Sequence, residues 1–133
     1  GRRKTIRISL TAIAVIVLGV FFHLPVLRLF GIEGLPAFWI FCGLLFLFGI
    51  FWGAVVTNSF PMLWQMASYD NMGMYTGLYY FFSQAAAILS PPITGGIADF
   101  FGMRSIFLFT MICMLAAFVL MRYGTGGEAG DPA

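Results

Sequence analysis

The sequence predicts an all-α, polytopic membrane protein with four transmembrane helices. Of its 133 residues, 61% are hydrophobic and only 9% are charged, and the mean hydropathy is +0.96. Soluble domains carry about 45–50% apolar and about 25% charged residues, so this chain lacks the side chains that a water-facing surface needs. The ionisable residues also lie between long apolar runs, because a charge at the bilayer centre costs about 2.5–3.5 kcal/mol. At about 20 residues per crossing, four spans fit.

Each predicted span begins or ends close to an ionisable residue. The spans are 8–27, 35–57, 74–97 and 105–121. The second span is predicted to end shortly before Pro61, because a proline ring cannot continue an ordinary helix without a kink. Pro91 and Pro92 lie inside the third span, where neighbouring helices or water satisfy the carbonyls that prolines leave unpaired. The polar, Gly-rich residues 123–133 predict a flexible cytoplasmic tail.

Basic residues predict the orientation and the membrane. Arg2, Arg3, Lys4 and Arg7 crowd the start of the chain, and cytoplasmic loops carry an excess of Lys and Arg. Four crossings return the carboxyl end to the same side, so we expect a multi-pass protein of the plasma (cytoplasmic) membrane with both ends inside. Because the chain starts with Gly1 and an abrupt basic run, we also expect it to be a piece of a longer protein.

Several classes of function are disfavoured by composition and motifs. A formal net charge of +2 is too small and too unevenly placed for a nucleic-acid-binding surface. The sequence has neither a Gly-x-Ser-x-Gly nor a His-Glu-x-x-His motif, and its single histidine, His23, cannot build a catalytic relay or a metal site unaided. We therefore expect no catalytic residues and no metal.

The third span carries a stripe of polar and small residues. On a helix, residues spaced by threes and fours share one face, and the stripe consists of Thr76, Tyr80, Ser83, Ala87, Ser90 and Thr94. An unpaired hydroxyl or amide in lipid costs several kcal/mol. The stripe must therefore face other helices or a water-filled cavity. Both a ligand-facing wall and polar contacts that join helices meet this requirement.

Gln84 and Tyr79 flank this stripe, and Gln84 favours the ligand-facing interpretation. Its amide has up to four hydrogen bonds to satisfy in mid-span, and a polar solute or water supplies them readily. Tyr79 and Tyr80 offer an apolar ring face with a hydroxyl at its rim, which suits a sugar; plain packing is the alternative role. Asn58 lies at the end of the second span. The candidate substrate-cavity residues are Thr76, Tyr79, Tyr80, Ser83, Gln84 and Asn58.

The chain resembles the major facilitator superfamily of transporters. Residues 1–4, GRRK, look like the end of that superfamily's Asp-Arg-x-Gly-Arg-Arg/Lys loop, which lies between helices two and three and again between eight and nine. Four helices with a cytoplasmic start and end match helices nine to twelve, which implies a partial superfamily fold. The resemblance also implies that Arg2, Arg3 and Lys4 belong to a cytoplasmic gating loop. Such cations pair with a neighbouring helix end in one conformation and release it in the other.

Three further segments resemble the glycoside-pentoside-hexuronide cation symporters and the related sucrose-transporter-like branch. Segments 58–62, 75–83 and 90–99 read NSFPM, YTGLYYFFS and SPPITGGIAD. The resemblance implies cation-coupled uptake of a sugar or glycoside by alternating access, without an organic cofactor. It implies the bilayer, a small solute and the missing amino-terminal helices as partners. Asp70 and Asp99 lie at span ends, so the site for a coupling ion, H⁺ or Na⁺, is expected to be either outside this chain or absent.

The alternative from another class is a stand-alone four-helix membrane protein that serves as an assembly or interaction subunit. An open coding region upstream of Gly1 with about eight more spans would favour the transporter fragment. A start codon immediately before Gly1 would favour the subunit.

Overall fold

The computed structural model describes residues 1–123, in which short non-helical segments separate four long helices. Its four long helices correspond in order to the four predicted spans, and no strand occurs in this part of the chain, so the all-α prediction is confirmed. The helices are α1 (Arg2–Leu29), α2 (Leu35–Met66), α3 (Met72–Phe101) and α4 (Ser105–Tyr123), with a short 3-10 turn at Tyr69–Asn71. Of the predicted tail, only Tyr123 is within the described residues.

Length and composition allow three of the four helices to cross a membrane. These are α1, α2 and α4. The remaining helix, α3, has 30 residues and is therefore long enough for a bilayer at about 1.5 Å per residue. Its mean hydropathy is lowered by tyrosines, a glutamine, hydroxyl residues and two prolines. The polar stripe that makes α3 a candidate ligand-binding helix therefore also makes it harder to recognise as a membrane span. That α3 spans the membrane remains a prediction.

Helix α2 continues beyond the predicted end of its span, through Pro61 to Met66. Three polar side chains just before the proline donate hydrogen bonds to carbonyls one turn earlier. Thr57 Oγ1 bonds to Gly53 O at 2.8 Å, Asn58 Nδ2 to Ala54 O at 2.8 Å and Ser59 Oγ to Val55 O at 2.7 Å. Their polar groups are thus satisfied inside the helix. A segment that resembles a loop in sequence therefore forms a helical turn.

Helix α1 lies at the centre of the described bundle. It packs extensively against both α2 and α4, whereas α3 makes much smaller contacts with α2 and α4. The buried residues of α1 are Ile6, Ser9, Leu10, Ile13, Ala14, Ile16, Val17 and Val20. Spacings of three and four place them on one broad face. Outside α1, the only buried residue among those described is Ala37 on α2.

A glycine turn joins α3 to α4 and brings a charged residue back to α1. Gly102 has φ +87° and ψ 156°, a backbone conformation that glycine adopts because it has no Cβ, and it donates its N–H to Ala98 O at 2.8 Å. The chain then passes through Arg104 before α4 begins. The turn thus positions Arg104 beside the distant α1 helix.

Arg104 hydrogen-bonds to a carbonyl that a proline leaves unpaired. Pro25, inside α1, has no N–H, so the carbonyl of Phe21 one turn earlier lacks its helical donor. Arg104 Nη2 donates to this Phe21 carbonyl, and the guanidinium lies 5.1 Å from the centroid of the Phe21 ring. A charge-assisted hydrogen bond therefore joins the α3–α4 turn to α1.

We expect Arg104→Met to lower the free energy of unfolding by about 1.5–3 kcal/mol, the usual range for a hydrogen bond to a charged group. In a Pro25→Ala background the cost should be smaller, because the backbone N–H that alanine restores at this position would serve the Phe21 carbonyl. Equilibrium unfolding in mixed micelles of the four chains in this double-mutant cycle measures the difference.

The matched control is Arg28→Met. Arg28 lies 4.0 Å from Glu33, with both side chains 72% exposed, and exposed pairs contribute about 0–1 kcal/mol. Strict additivity of Pro25→Ala and Arg104→Met would show that the two residues do not share the Phe21 carbonyl.

Candidate functional site

Four aromatic rings connect the carboxyl-terminal part of α2 with the amino-terminal half of α3. We call Phe60, Trp64, Tyr79 and Tyr80 the aromatic cluster. Phe60 lies at its centre, with ring centroids 4.9 Å from Trp64, 5.2 Å from Tyr79 and 6.0 Å from Tyr80. The two tyrosine centroids are 5.7 Å apart. All four distances lie within the range of favourable ring pairs.

The cluster depends on the continuation of α2 through Pro61. Phe60 and Trp64 are four residues apart, so an unbroken helix places them on the same face. The predicted second span ends at residue 57, so Phe60 and Trp64 were not recognised as residues on one face of a helix. For this reason the site predicted from sequence contains the tyrosines but not their α2 partners. The spacing of two aromatic residues by four is the signal that identifies them.

A cavity of about 430 Å³ adjoins the cluster. It is lined by Leu63, Leu78, Tyr79, Phe82 and Ser83. Tyr79 therefore belongs both to the aromatic cluster and to the cavity wall, and it is half-buried, whereas Tyr80 is 53% exposed. The wall is mainly apolar, and Tyr79 and Ser83 are the two residues of its lining that carry hydroxyls. Such a surface suits a ligand that has an apolar face and a polar edge.

The other candidate cavity residues lie around this centre. Thr76 is half-buried and precedes the tyrosines by about one turn, and Gln84 is exposed about one turn after Tyr80. Asn58 is half-buried, and its Nδ2 already donates to Ala54 O within α2. The structure thus joins Tyr79 and Tyr80 to α2 and places Ser83 in the same cavity as Tyr79. It engages Asn58 with its own helix.

The far half of the polar stripe gains backbone acceptors from its two prolines. Pro91 and Pro92 lie inside α3 and have no N–H, so the carbonyls of Ala87 and Ile88 lose their helical donors. Ala87 belongs to the stripe itself. The stripe therefore includes a backbone carbonyl in addition to its hydroxyl side chains.

The predicted gating cations contact different neighbours. Arg2 Nη1 donates to the carbonyl of Pro61 at 3.4 Å, close to the end of α2. Arg3 and Lys4 line a separate groove with Arg7, on the side of α1 that faces α4. The basic start of the chain therefore touches α2 through one cation and the α4 side through others.

Metal-binding groups are dispersed in the part of the chain that the structure describes. Within residues 1–123, no group of three or more His, Cys, Asp or Glu side chains comes together in a way that could hold a metal ion. His23 instead hydrogen-bonds through Nδ1 to Val20 O at 2.6 Å and stacks on Phe41, with ring centroids 5.2 Å apart.

Comparison with known protein families identifies the chain. The model of the Major Facilitator Superfamily matches residues 1–131. The chain belongs to the major facilitator superfamily. No curated protein and no solved structure matches it. Members of the major facilitator superfamily are membrane transporters and not enzymes, so the aromatic cluster and its cavity belong to a multi-pass protein whose general partners are small solutes and the lipid bilayer.

Proposed function

We propose that this chain is part of a secondary active transporter that takes up a sugar or glycoside, coupled to H⁺ or Na⁺, by alternating access. The observation that carries the proposal is the aromatic cluster beside a cavity that Tyr79 and Ser83 both line. A sugar ring has apolar C–H faces and a rim of hydroxyls, which match a tyrosine ring and its hydroxyl. The resemblance of segments 58–62, 75–83 and 90–99 to the glycoside-pentoside-hexuronide symporters supports the same substrate class.

Polar groups on α3 would bind the hydroxyls of the sugar. Ser83 lies in the cavity wall, while Thr76 and Gln84 lie about one turn to either side of the tyrosines. Each offers both a donor and an acceptor, as sugar hydroxyls require. In this proposal the cluster binds the apolar face of the sugar and the polar stripe binds its edge.

Arg2 would connect this site to the gate. Its hydrogen bond to Pro61 O falls on the residue next to Phe60, the central ring of the aromatic cluster. Release of Arg2 would free the last turns of α2, which carry Phe60 and Trp64. Opening of the cytoplasmic side and loosening of the aromatic cluster would then occur together, as alternating access about one site requires.

The coupling carboxylate would come from other helices of the transporter. Among the described residues, Asp70 lies just before the start of α3 and Asp99 lies in its last turn. The amino end and the carboxyl end of this chain would both lie in the cytoplasm, as its basic residues predict.

The test is uptake of labelled mono- and disaccharides into vesicles that contain the full-length transporter, with and without a proton or sodium gradient. We expect gradient-dependent accumulation of at least one sugar, abolished when an ionophore collapses the gradient. Vesicles without protein are the control. No accumulation of any sugar by correctly inserted protein would contradict the proposal and favour a non-sugar carrier or an assembly subunit.

A further inference from the structure

A groove of about 860 Å³ lies between the beginning of α1 and the end of α4. It is lined by Arg3, Lys4, Arg7, Ile8, Thr11, Ala12 and Phe118. It lies on the other side of α1 from the Arg2 contact with α2, and it shares no residue with the aromatic cluster. None of the described residues that line it is acidic.

The lining changes from basic to mainly apolar along α1. From Arg3 to Ala12 the helix rises by about 13 Å, at about 1.5 Å per residue. Cations occupy the outer end, whereas Ile8, Ala12 and the ring of Phe118 dominate the inner part. A ligand that fills the whole groove must therefore carry negative charge at one end and an apolar chain at the other.

Arg7 is held at the point where the two parts meet. Its guanidinium lies 5.6 Å from the centroid of the Phe118 ring, a cation–π contact between α1 and α4. This contact fixes one cation against the apolar wall. The charge at the middle of the groove is thus positioned by the fold, and the side chain of Arg7 remains exposed.

A groove at the ends of two membrane-spanning helices falls where lipid headgroups meet acyl chains. Both helices that form it are long and apolar enough to cross a membrane, and the basic residues lie in the first two turns of α1. Phosphate groups of lipids occupy this level at the end of a span. Each Lys or Arg near a bilayer surface raises the affinity for anionic lipids roughly fivefold.

We propose that this groove binds an anionic glycerophospholipid. The phosphate lies against Arg3, Lys4 and Arg7, and an acyl chain runs inward along Ile8, Ala12 and Phe118. A zwitterionic lipid offers no net charge to the three cations, and a free phosphate ion leaves the apolar half of the groove empty. The binding is independent of which solute the transporter carries.

The test is native mass spectrometry of the protein released from vesicles of equimolar phosphatidylglycerol and phosphatidylcholine. We expect more bound phosphatidylglycerol than phosphatidylcholine in the unaltered protein. Arg7→Gln and Lys4→Gln should each lower this ratio about fivefold, while Arg7→Lys retains it. Lys4 is an exposed side chain, so its variant reports on the charge even where Arg7→Gln disturbs packing. Arg28→Gln, at the other end of α1, is the matched control.

A substitution that adds volume without changing charge distinguishes binding of a lipid from binding of a phosphate ion. Ala12→Phe fills the inner end of the groove and should lower phosphatidylglycerol binding, and added inorganic phosphate should not displace the lipid. The proposal is overturned if Lys4→Gln and Arg7→Gln leave the lipid ratio unchanged, or if Arg28→Gln lowers it equally. Displacement by inorganic phosphate, with Ala12→Phe without effect, would replace the lipid by an ion site.

Discussion

Replacing Gln84 by leucine in the full-length transporter is expected to reduce solute uptake about fivefold or more, with no loss of inserted protein. Gln84 lies near the middle of α3, about one turn beyond Tyr80, and its side chain is exposed. If it hydrogen-bonds to the solute, leucine leaves the solute hydroxyls unpaired, and such a loss typically costs about 1–3 kcal/mol, or about fivefold to 150-fold in binding. Initial uptake rates, normalised to inserted protein, give the comparison.

The chain provides a matched control for this substitution. Gln65 is the only other glutamine in the sequence, and it is exposed near the carboxyl end of α2. Gln65→Leu makes the same chemical change on α2, away from the polar stripe that Gln84 flanks, and should leave uptake unchanged. Normal uptake by the Gln84→Leu protein would show that the stripe joins helices and does not bind solute.

Replacing Ile13 by alanine is expected to lower the free energy of unfolding by about 2–5 kcal/mol. Ile13 is 0% exposed and lies on the buried face of α1, which packs against α2 and α4. Removing buried methyl groups costs their packing contacts and leaves a cavity that the neighbours fill only in part. Equilibrium unfolding in micelles with increasing sodium dodecyl sulfate, followed by circular dichroism, measures the change.

Val15 provides the comparison on the opposite side of the same helix. It is 64% exposed, so Val15→Ala removes methyl groups that have few partners and should cost less than about 1 kcal/mol. Equal losses from Ile13→Ala and Val15→Ala would mean that α1 is not packed as the structure shows.

The positions of the helices along the chain were easier to predict from the sequence than the packing of one helix against another. Helices α2 and α4 start at Leu35 and Ser105, where charged and glycine residues come just before the apolar runs. The end of α2 was harder to predict, since residues 57–59 satisfy their polar groups within the helix. The central position of α1 was not predicted either. Apolar residues cover nearly all of its sides, so composition cannot tell which side faces protein and which faces lipid.

In the candidate site, too, spacing within one helix could be predicted from the sequence, whereas contacts between helices could not. The stripe on α3 follows from spacing within one helix. It contains Tyr80, which the structure places in the aromatic cluster, and Ser83, which it places in the cavity wall. That these residues bind a solute remains a prediction. Phe60 contributes through the meeting of two helices, which local spacing does not reveal. Arg2, Arg3 and Lys4 were expected to belong to one gating loop, and helix geometry directs Arg2 towards α2 and the other two towards the groove beside α4.

The order of helices along the chain differs from their order in space, and this affects how the bundle is made. Of these four helices α1 is synthesised first, yet one of its two packed sides has no partner until α4, which begins only at Ser105, has been made. The α1–α2 hairpin is local and closes early, whereas the α1–α4 contact closes a long loop at greater entropic cost. Helix α3 lies within that loop and has only small contacts of its own. It therefore takes its place through the docking of the helices on either side of it.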